Sequence, residues 1–380
     1  MHVLKFSIPE IIFGRDSVQY VGVCARQLGA EKVFLVSDPG VEKAGWVERV
    51  VELLKKEKLR WVYYSNVSTN PRDSQVQEGV SLYREQEADV VIGLGGGSPM
   101  DTAKGIALVA SNGGQIRDYE GANRISYPLP PMLLIPTTAG SGSDISQFAV
   151  IRDVERRVKM SIISRTLLPN ISIVDPTLLL TQSEDLIAAA ALDALSHAVE
   201  SYVSRIASPF TESQSLQAIQ LIMKFARRAV ESRELEYLEQ LSIASNAAAM
   251  AFSNAGVGAE HALAHALGGM FDVLHGWVHP VLLPAVLRFN SSKCLNKMAV
   301  IGDTILGKRY GSHQATCDAA IDKLDEFCAS LGGALNLRQI VSDPSLLDDL
   351  CRIAAGDVCL LTNPREAGWE DLLGICKEAW

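Results

Sequence analysis

The sequence predicts an α/β parallel-sheet domain followed by an all-α helical domain, and three observations carry that expectation. In the first half, short apolar runs ended by turn residues alternate with stretches of helical periodicity. Near Asp175-Pro176 the character changes: from Thr181 onward Ala- and Leu-rich helical patterns dominate and strand signals nearly vanish. At 380 residues, 48% hydrophobic and 21% charged, the chain is also too long for one hydrophobic core. The expected division is residues 1–180 and 181–380.

In order along the first half, Lys32–Asp38 reads as a strand, Val47–Lys56 as an amphipathic helix and Arg60–Tyr64 as a second strand. Ser74–Glu87 follows as helix, Ala88–Gly93 as strand, Met100–Ser111 as helix and Met132–Pro136 as strand. Strands separated by helices need crossover connections, which give a parallel sheet covered on both faces and suit nucleotide binding. At the start of the second half Ser183 is placed to cap a helix whose first turn carries Glu184 and Asp185 at the positive end of its dipole.

Composition excludes several classes. A net charge of -9, with no basic run of five residues, argues against neutralising nucleic-acid phosphates. The stretch Met1–Glu10 lacks a basic head and a long apolar segment, so it does not read as a secretory signal, and a cytoplasmic protein is expected. Apolar runs such as Ile187–Leu192 fall far short of the ~20 residues of a membrane span. The seven cysteines form no C-x-x-C pair and read as buried thiols of a reducing compartment.

The segment Gly93-Leu94-Gly95-Gly96-Gly97-Ser98 lies between a buried strand and a helix. Glycines there let backbone approach a diphosphate, and the N–H groups of the helix start bind its charge. Ser98 stands where a G-x-G-x-x-G motif has its third glycine. A second loop, Pro136-Thr137-Thr138-Ala139-Gly140-Ser141, also follows an apolar run; two such loops at one sheet edge point to a dinucleotide site. Asp38, ending the first strand, can accept from ribose hydroxyls and would repel a 2′-phosphate, favouring NAD over NADP. The competing reading of Asp38-Pro39-Gly40 is a simple turn.

Five of the seven histidines fall between His197 and His279. Asp193 and His197 lie four apart and share a helix face. His261 and His265 repeat that spacing among small apolar residues, and His275 follows the Gly268-Gly269 break. One histidine on such a face is ordinarily a core residue, whereas four between 261 and 279 point to a metal. A carboxylate with three imidazoles leaves a position for a substrate oxygen and suits Fe(II), Zn(II), Co(II) or Ni(II).

Together the Gly95-Gly96-Gly97-Ser98 loop, the Pro136–Gly140 run, Asp193-x-x-x-His197 and His261-x-x-x-His265 with His275-Gly276 resemble the iron-containing (group III) alcohol dehydrogenases, over nearly the whole chain. The resemblance implies a Rossmann-like N-terminal domain and a helical C-terminal domain. It implies Asp193, His197, His261 and His275 as metal ligands and His265 as a catalytic, unligated histidine. Asp38, Asn70, Gly96, Gly97, Ser98, Asp101, Thr137, Thr138 and Lys159 match positions that contact the dinucleotide. The implied activity is hydride transfer between NAD(H) and a primary alcohol or aldehyde, with Fe(II), or Zn(II), polarising the substrate oxygen, in a homodimer or larger homo-oligomer.

Two departures stand out. Asp144 replaces the family's usual glutamate, and His279 stands where asparagine is common. His279 adds a titratable group and leaves open which histidine carries the proton; as a competing ligand it is the less favoured reading. Phe148 and Phe252 are candidates for the substrate pocket, with ordinary core packing an equal alternative. The competing functions are a metal- and NAD-dependent lyase resembling 3-dehydroquinate synthase, for which the stretch 182–290 has few basic residues, and a non-catalytic metal- or NAD-binding sensor.

Overall fold

The computed structural model describes residues 5–332 and 336–380. Contacts divide the chain into one compact unit, Ser7–Gln182, and a second that joins Ser183–Trp380 with the N-terminal stretch up to Phe6. Phe6 belongs to the second unit through its ring, 6.0 Å from that of Phe210.

In the first unit the strands are β1 (Glu10–Phe13), β2 (Lys32–Val36), β3 (Arg60–Tyr64), β4 (Val90–Gly95), β5 (Gly121–Ala122), β6 (Met132–Pro136), β7 (Phe148–Asp153), β8 (Val158–Ile163) and β9 (Ile171–Val174). The helices are α1 (Val21–Gln27), α2 (Pro39–Lys43), α3 (Trp46–Lys56), α4 (Asp73–Glu85) and α5 (Gly97–Asn112). Six strands form one sheet in the order β1-β9-β6-β4-β2-β3, every pairing parallel. The strands and helices expected from periodicity are present; β4 runs on to Gly95 and α5 starts at Gly97, so the glycines themselves make the strand-to-helix turn.

Period-two alternation sends the residues of each strand to opposite faces. Val33, Leu35, Ile92, Leu94, Leu133 and Ile135 pack with Val21, Val50 and Leu54 of α1 and α3. Phe34, Val36, Val91 and Leu134 pack with Val76, Val80 and Ile106 of α4 and α5 on the other face. A Cβ on Gly93 would lie 2.7 Å from Leu134 Cδ2 and 3.3 Å from the Met100 Cα, so a glycine is what lets α5 lie this close to β4. Because the sheet is parallel, the C-terminal ends of β2, β3, β4 and β6 share one edge. β2 has β3 on one side and β4 on the other, so the order reverses between β2 and β4, the crevice where such sheets hold ligands.

Periodicity did not announce the smaller three-stranded sheet, β5-β8-β7. Its β7–β8 hairpin carries Lys159 opposite Arg152 and turns at Asp153. Asp153 accepts from Arg156 N at 2.9 Å and Arg156 Nε at 2.6 Å.

The second unit is helical: α6 (Glu184–Val203), α7 (Pro209–Ser232), α8 (Leu235–Ala255), α9 (Ala259–Phe271), α10 (His279–Leu306, bent at Cys294), α11 (His313–Leu331), α12 (Leu347–Ala355) and α13 (Trp369–Glu378). A short 3-10 turn, His275–Trp277, links α9 to α10. Ser183 caps α6 by accepting from Leu186 N at 3.3 Å. α6 is long and apolar enough to cross a membrane by composition, yet nearly all of it is buried inside this unit, so it is a core helix.

Burial by itself raises the Asp153 carboxyl, but the bonds to Arg156 and the charges of Arg156 and Arg117 hold it below the usual range. Its stabilising contribution is therefore complete above the unfolded value, about 3.9, and is lost as pH falls through the lower folded value. Asp153→Asn should cost about 1–3 kcal/mol at pH 7, the range for hydrogen bonds to a charged group. Urea unfolding at a series of pH values should show the gap from wild type closing below about pH 4.

Candidate active site

In the sheet unit the candidate dinucleotide residues gather along the C-terminal strand edge. Thr137 N donates to Gly95 O at 2.9 Å. A Cβ on Gly96 would meet Thr138 Cγ2 at 3.3 Å, and one on Gly97 would meet Ser141 Cβ at 3.0 Å, so the two loops lie against each other. Ser98 Oγ donates to Thr69 O, which draws in the loop of buried Asn70. These contacts leave the first N–H groups of α5 as the helix's orphan donors, the usual cradle for a diphosphate.

Asp38 caps α2, its Oδ1 accepting from Gly40 N at 2.8 Å and Val41 N at 3.0 Å. Its Oδ2 lies 3.4 Å from where a Gly95 Cβ would stand. The residue is thus both the turn former and a carboxylate at the sheet crevice. Asp101 is buried and uses both oxygens within the unit, accepting from Ser143 Oγ and from Val150 N. Burial raises its carboxyl, with Lys104 foremost among the opposing influences and Lys159 a lesser one. Lys104, fully buried, donates to Ser146 O at 2.8 Å and Phe148 O at 2.7 Å, and burial pushes its ammonium down to about 8. The shortened Asp144 accepts from Ser172 Oγ at 2.7 Å.

In the helical unit, side chains converge on one carboxylate oxygen. Around Asp193 Oδ1 stand His279 Nε2 at 3.2 Å, His197 Nδ1 at 3.4 Å, His261 Nε2 at 3.8 Å and His275 Nε2 at 3.9 Å. Donor atoms of Asp193, His261, His275 and His279 all lie within 4.8 Å of one another, a spacing that fits one ion. His197 is outside that tightest group but stacks on His261, centroids 4.4 Å apart, and on Phe252 at 4.1 Å. Phe252 therefore packs the histidine cluster, while Phe148 opens β7 in the other unit.

Carboxylates behind the rings orient them. His261 Nδ1 donates to Glu200 Oε2 at 2.7 Å and sits 3.1 Å from Glu260 Oε2. His279 Nδ1 donates to Glu260 Oε1 at 2.6 Å. Each Nδ1 proton so placed leaves the Nε2 lone pair facing inward, the arrangement that fixes metal-binding histidines. Glu200 also accepts from Gly258 N at 2.9 Å and Glu260 N at 2.8 Å, so it closes the N-terminus of α9, where a negative charge is favoured. His265 Nδ1 donates to Asp357 Oδ2 at 2.8 Å, and its ring stacks on His275 at 5.6 Å.

Asp193 Oδ1, His197 Nδ1, His261 Nε2 and His279 Nε2 are buried atoms with no hydrogen-bond partner. Buried polar atoms left unsatisfied are costly, and four at one point mean that a further positive group belongs there; the donor set fits a divalent metal. The electrostatics agree. Burial would raise the Asp193 carboxyl, yet the surrounding imidazoles, His197 first, hold it well below its usual range. Burial pushes the His197 imidazole down to about 3. Burial opposes the charged form of His279 as well, but the Glu260 and Asp193 carboxylates outweigh it and raise that ring to about 9. A proton on the ring balances these carboxylates, and a divalent cation would supply the same charge and displace it.

Glu200, Glu260 and Asp357 were not singled out from sequence. The available signal was position: Glu200 and Glu260 are acids within otherwise greasy Ala- and Leu-rich helices, where a charge needs a partner.

A parallel-sheet unit with two interlocked glycine and hydroxyl loops, and a helical unit with an Asp/His cage, define a metal-dependent dehydrogenase of the dinucleotide-using kind. Residues 9–176 match the family described as iron-containing alcohol dehydrogenase, and residues 187–380 match its C-terminal counterpart, the Fe-containing alcohol dehydrogenase family, C-terminal. The chain belongs to the iron-containing alcohol dehydrogenase family. It is 35% identical over 377 residues to the NAD-dependent methanol dehydrogenase of Bacillus methanolicus, covering 98% of this chain and 99% of that one. It is 34% identical over 385 residues to the 1,3-propanediol dehydrogenase of Klebsiella pneumoniae, covering 100% of this chain and 99% of that one. The crystal structure of a 1,3-propanediol oxidoreductase superposes with a TM-score of 0.95 at 33% identity, all of both chains being covered. An alcohol dehydrogenase from Oenococcus oeni gives the same TM-score, identity and coverage.

His275 depends on a glycine beside it. A Cβ on Gly276 would lie 2.4 Å from Ala189 O and 2.7 Å from Ala189 C, so Gly276→Ala must push the 3-10 turn off α6 and take His275 with it. Metal affinity should fall roughly 10–100-fold, as when a ligand's support is lost. Chelator competition on the full chain measures it, and an unchanged affinity would show that His275 does not hold the ion.

Proposed function

We propose that this chain is an oxidoreductase that transfers a hydride between NAD(H) and a small primary alcohol or its aldehyde, with Asp193, His197, His261 and His275 holding the metal. The observation that carries this reading is the convergence of buried, unpartnered acceptor atoms at Asp193 Oδ1. A divalent metal supplies a Lewis acid that polarises the substrate oxygen, and NAD supplies the hydride acceptor.

The chain's own residues supply orientation and charge. Glu200 and Glu260 fix the ring of His261, and Ala189 backs the turn that carries His275. His265, its Nδ1 proton given to Asp357, is the group proposed to exchange the proton of the alcohol, because the carboxylate stabilises the imidazolium that forms. Burial would raise the Asp357 carboxyl, but His265 foremost holds it below its usual range. In the sheet unit, Gly96, Gly97 and Ser98 at the start of α5, with Thr137 and Thr138, are the proposed diphosphate cradle. Asn70 and Lys159 are further proposed contacts, and Asp101 supports the cradle from beneath. The seven cysteines, all free and buried, support a reducing, cytoplasmic setting.

Anaerobically purified protein assayed for metal, and for NADH formation with a panel of small alcohols, tests this reading directly. About one divalent ion per chain and net NADH production are expected; net turnover of simple alcohols also separates a dehydrogenase from a lyase that returns its hydride. His261→Ala should lose both metal and turnover, and full activity with stoichiometric metal would refute its assignment.

Asp38 gives a separate prediction. Asp38→Ser keeps a capping side chain for α2 but removes the charge facing a 2′-phosphate. The ratio of kcat/KM with NADP to that with NAD should rise roughly tenfold or more, since like-charge juxtaposition is worth over about 1.4 kcal/mol.

A further inference from the structure

We infer that His279 is itself a ligand of the metal, held in place by Glu260. The inference rests on the metal site proposed above and adds an imidazole to its four residues.

His279 is the first residue of α10, and its side chain is fully buried. Its Nδ1 proton is committed to Glu260 Oε1 at 2.6 Å, and Glu260 is fully buried too. A neutral ring so held has only a lone pair at Nε2. That lone pair stands 3.2 Å from Asp193 Oδ1, itself an acceptor, and no third group of the protein meets either atom. Two acceptors this close repel unless positive charge lies between them. A separation near 3.2 Å is also what two neighbouring ligands show when each bond to the ion is ~2.1 Å, since the edges run from ~3.0 Å in an octahedron to ~3.4 Å in a tetrahedron.

A purely structural His279 would need only a ring proton shared with one carboxylate and no further histidines beside it. Instead it shares a 4.8 Å cluster with Asp193, His261 and His275, and its ring centroid is 4.7 Å from that of His275 and 5.2 Å from that of His261. Glu260 serves both rings, with one oxygen toward His279 Nδ1 and the other toward His261 Nδ1. The ligand atoms gathered at this point thus come from one carboxylate and four imidazoles, three of them buried and that of His275 half-buried. So large a set suits an ion that accepts five or six ligands, such as Fe(II), better than tetrahedral Zn(II).

Anomalous diffraction from crystals of the full chain loaded with Co(II), a stand-in for Fe(II), locates the ion relative to the ring. His279 Nε2 within about 2.3 Å of it is the expected result, and a separation beyond about 3 Å overturns the inference. In solution, His279→Asn and Glu260→Gln should each retain the helical circular-dichroism signal while chelator competition shows Co(II) affinity falling 10-fold or more, and the Co(II) visible absorption bands of the His279→Asn protein should shift. An unchanged spectrum and an affinity within twofold of wild type overturn it. If His279→Asn does not fold, the wild-type crystal decides alone. A wild-type chain that binds no Co(II) overturns the metal reading as a whole, whereas an ion bound by the other residues but not by His279 overturns this inference only.

Discussion

Burying three carboxylates in a helical core is the constraint on which the site depends. Asp193, Glu200 and Glu260 are all nearly inaccessible. An unpaired buried ion costs several kcal/mol after relaxation, against a total stability of about 5–15 kcal/mol for a domain. The surrounding elements are arranged to meet that cost. The N-terminus of α9 presents its amides to Glu200, the rings of His261 and His279 hand their Nδ1 protons to Glu200 and Glu260, and Asp193 is left facing imidazole acceptors. Glu200 is thus satisfied within the protein and Glu260 through one oxygen, whereas Asp193 Oδ1 has no partner. This separation sets Glu200 and Glu260 behind the rings and Asp193 Oδ1 at the point the rings face.

Close approach of backbone makes the convergence possible. Gly276 lies flush on Ala189 of α6. A Cβ on Gly258 would come within 2.5 Å of Asn363 Oδ1 and 2.8 Å of Glu200 Oε1. Asn363 in turn accepts from Ala259 N at 3.1 Å and bonds reciprocally with Asn290. The small residues that make these helices look greasy in sequence are spacers, and they let long side chains meet at a point.

Much of this was legible in advance, and the gaps have physical causes. Strands β2, β3 and β6 and helices α3 and α5 follow from apolar periodicity because each is buried against the sheet or its helices along a regular face. The β7–β8 hairpin was missed because half-buried Arg152 and Lys159 face each other across it, exposed Arg157 lies in its turn, and its alternation is only half apolar. β1 pairs with β9, some 160 residues later, a distance no local pattern records. In the site, the pairs Asp193 with His197 and His261 with His265 were readable because one helical turn joins them. The partners Glu200–His261 and Glu260–His279 were not, since they join different elements across sequence separations of 61 and 19 residues. His279 looked secondary because it follows the break after α9, and only the fold shows that the first turn of α10 returns beneath His261.

The two units treat their polar groups differently, and that difference locates the chemistry. In the sheet unit the buried polar groups around α5 are tied within the unit: Asp101 to Ser143, Asp144 to Ser172, Lys104 to two carbonyls. Such ties stiffen the loops at the start of α5 and after β6. In the helical unit the same tying is done one layer back from the centre, and at the centre itself it stops. Folding selects for satisfied polar groups, so unsatisfied ones that cluster, buried and oriented by fully bonded neighbours, record selection for something other than stability. Here they are all acceptors facing one point. One carboxylate oxygen and several imidazole nitrogens that share one point make a set of ligand atoms suited to a small divalent cation. Acceptors that converge unpaired on one point are what a cation site requires, in keeping with a family described as iron-containing.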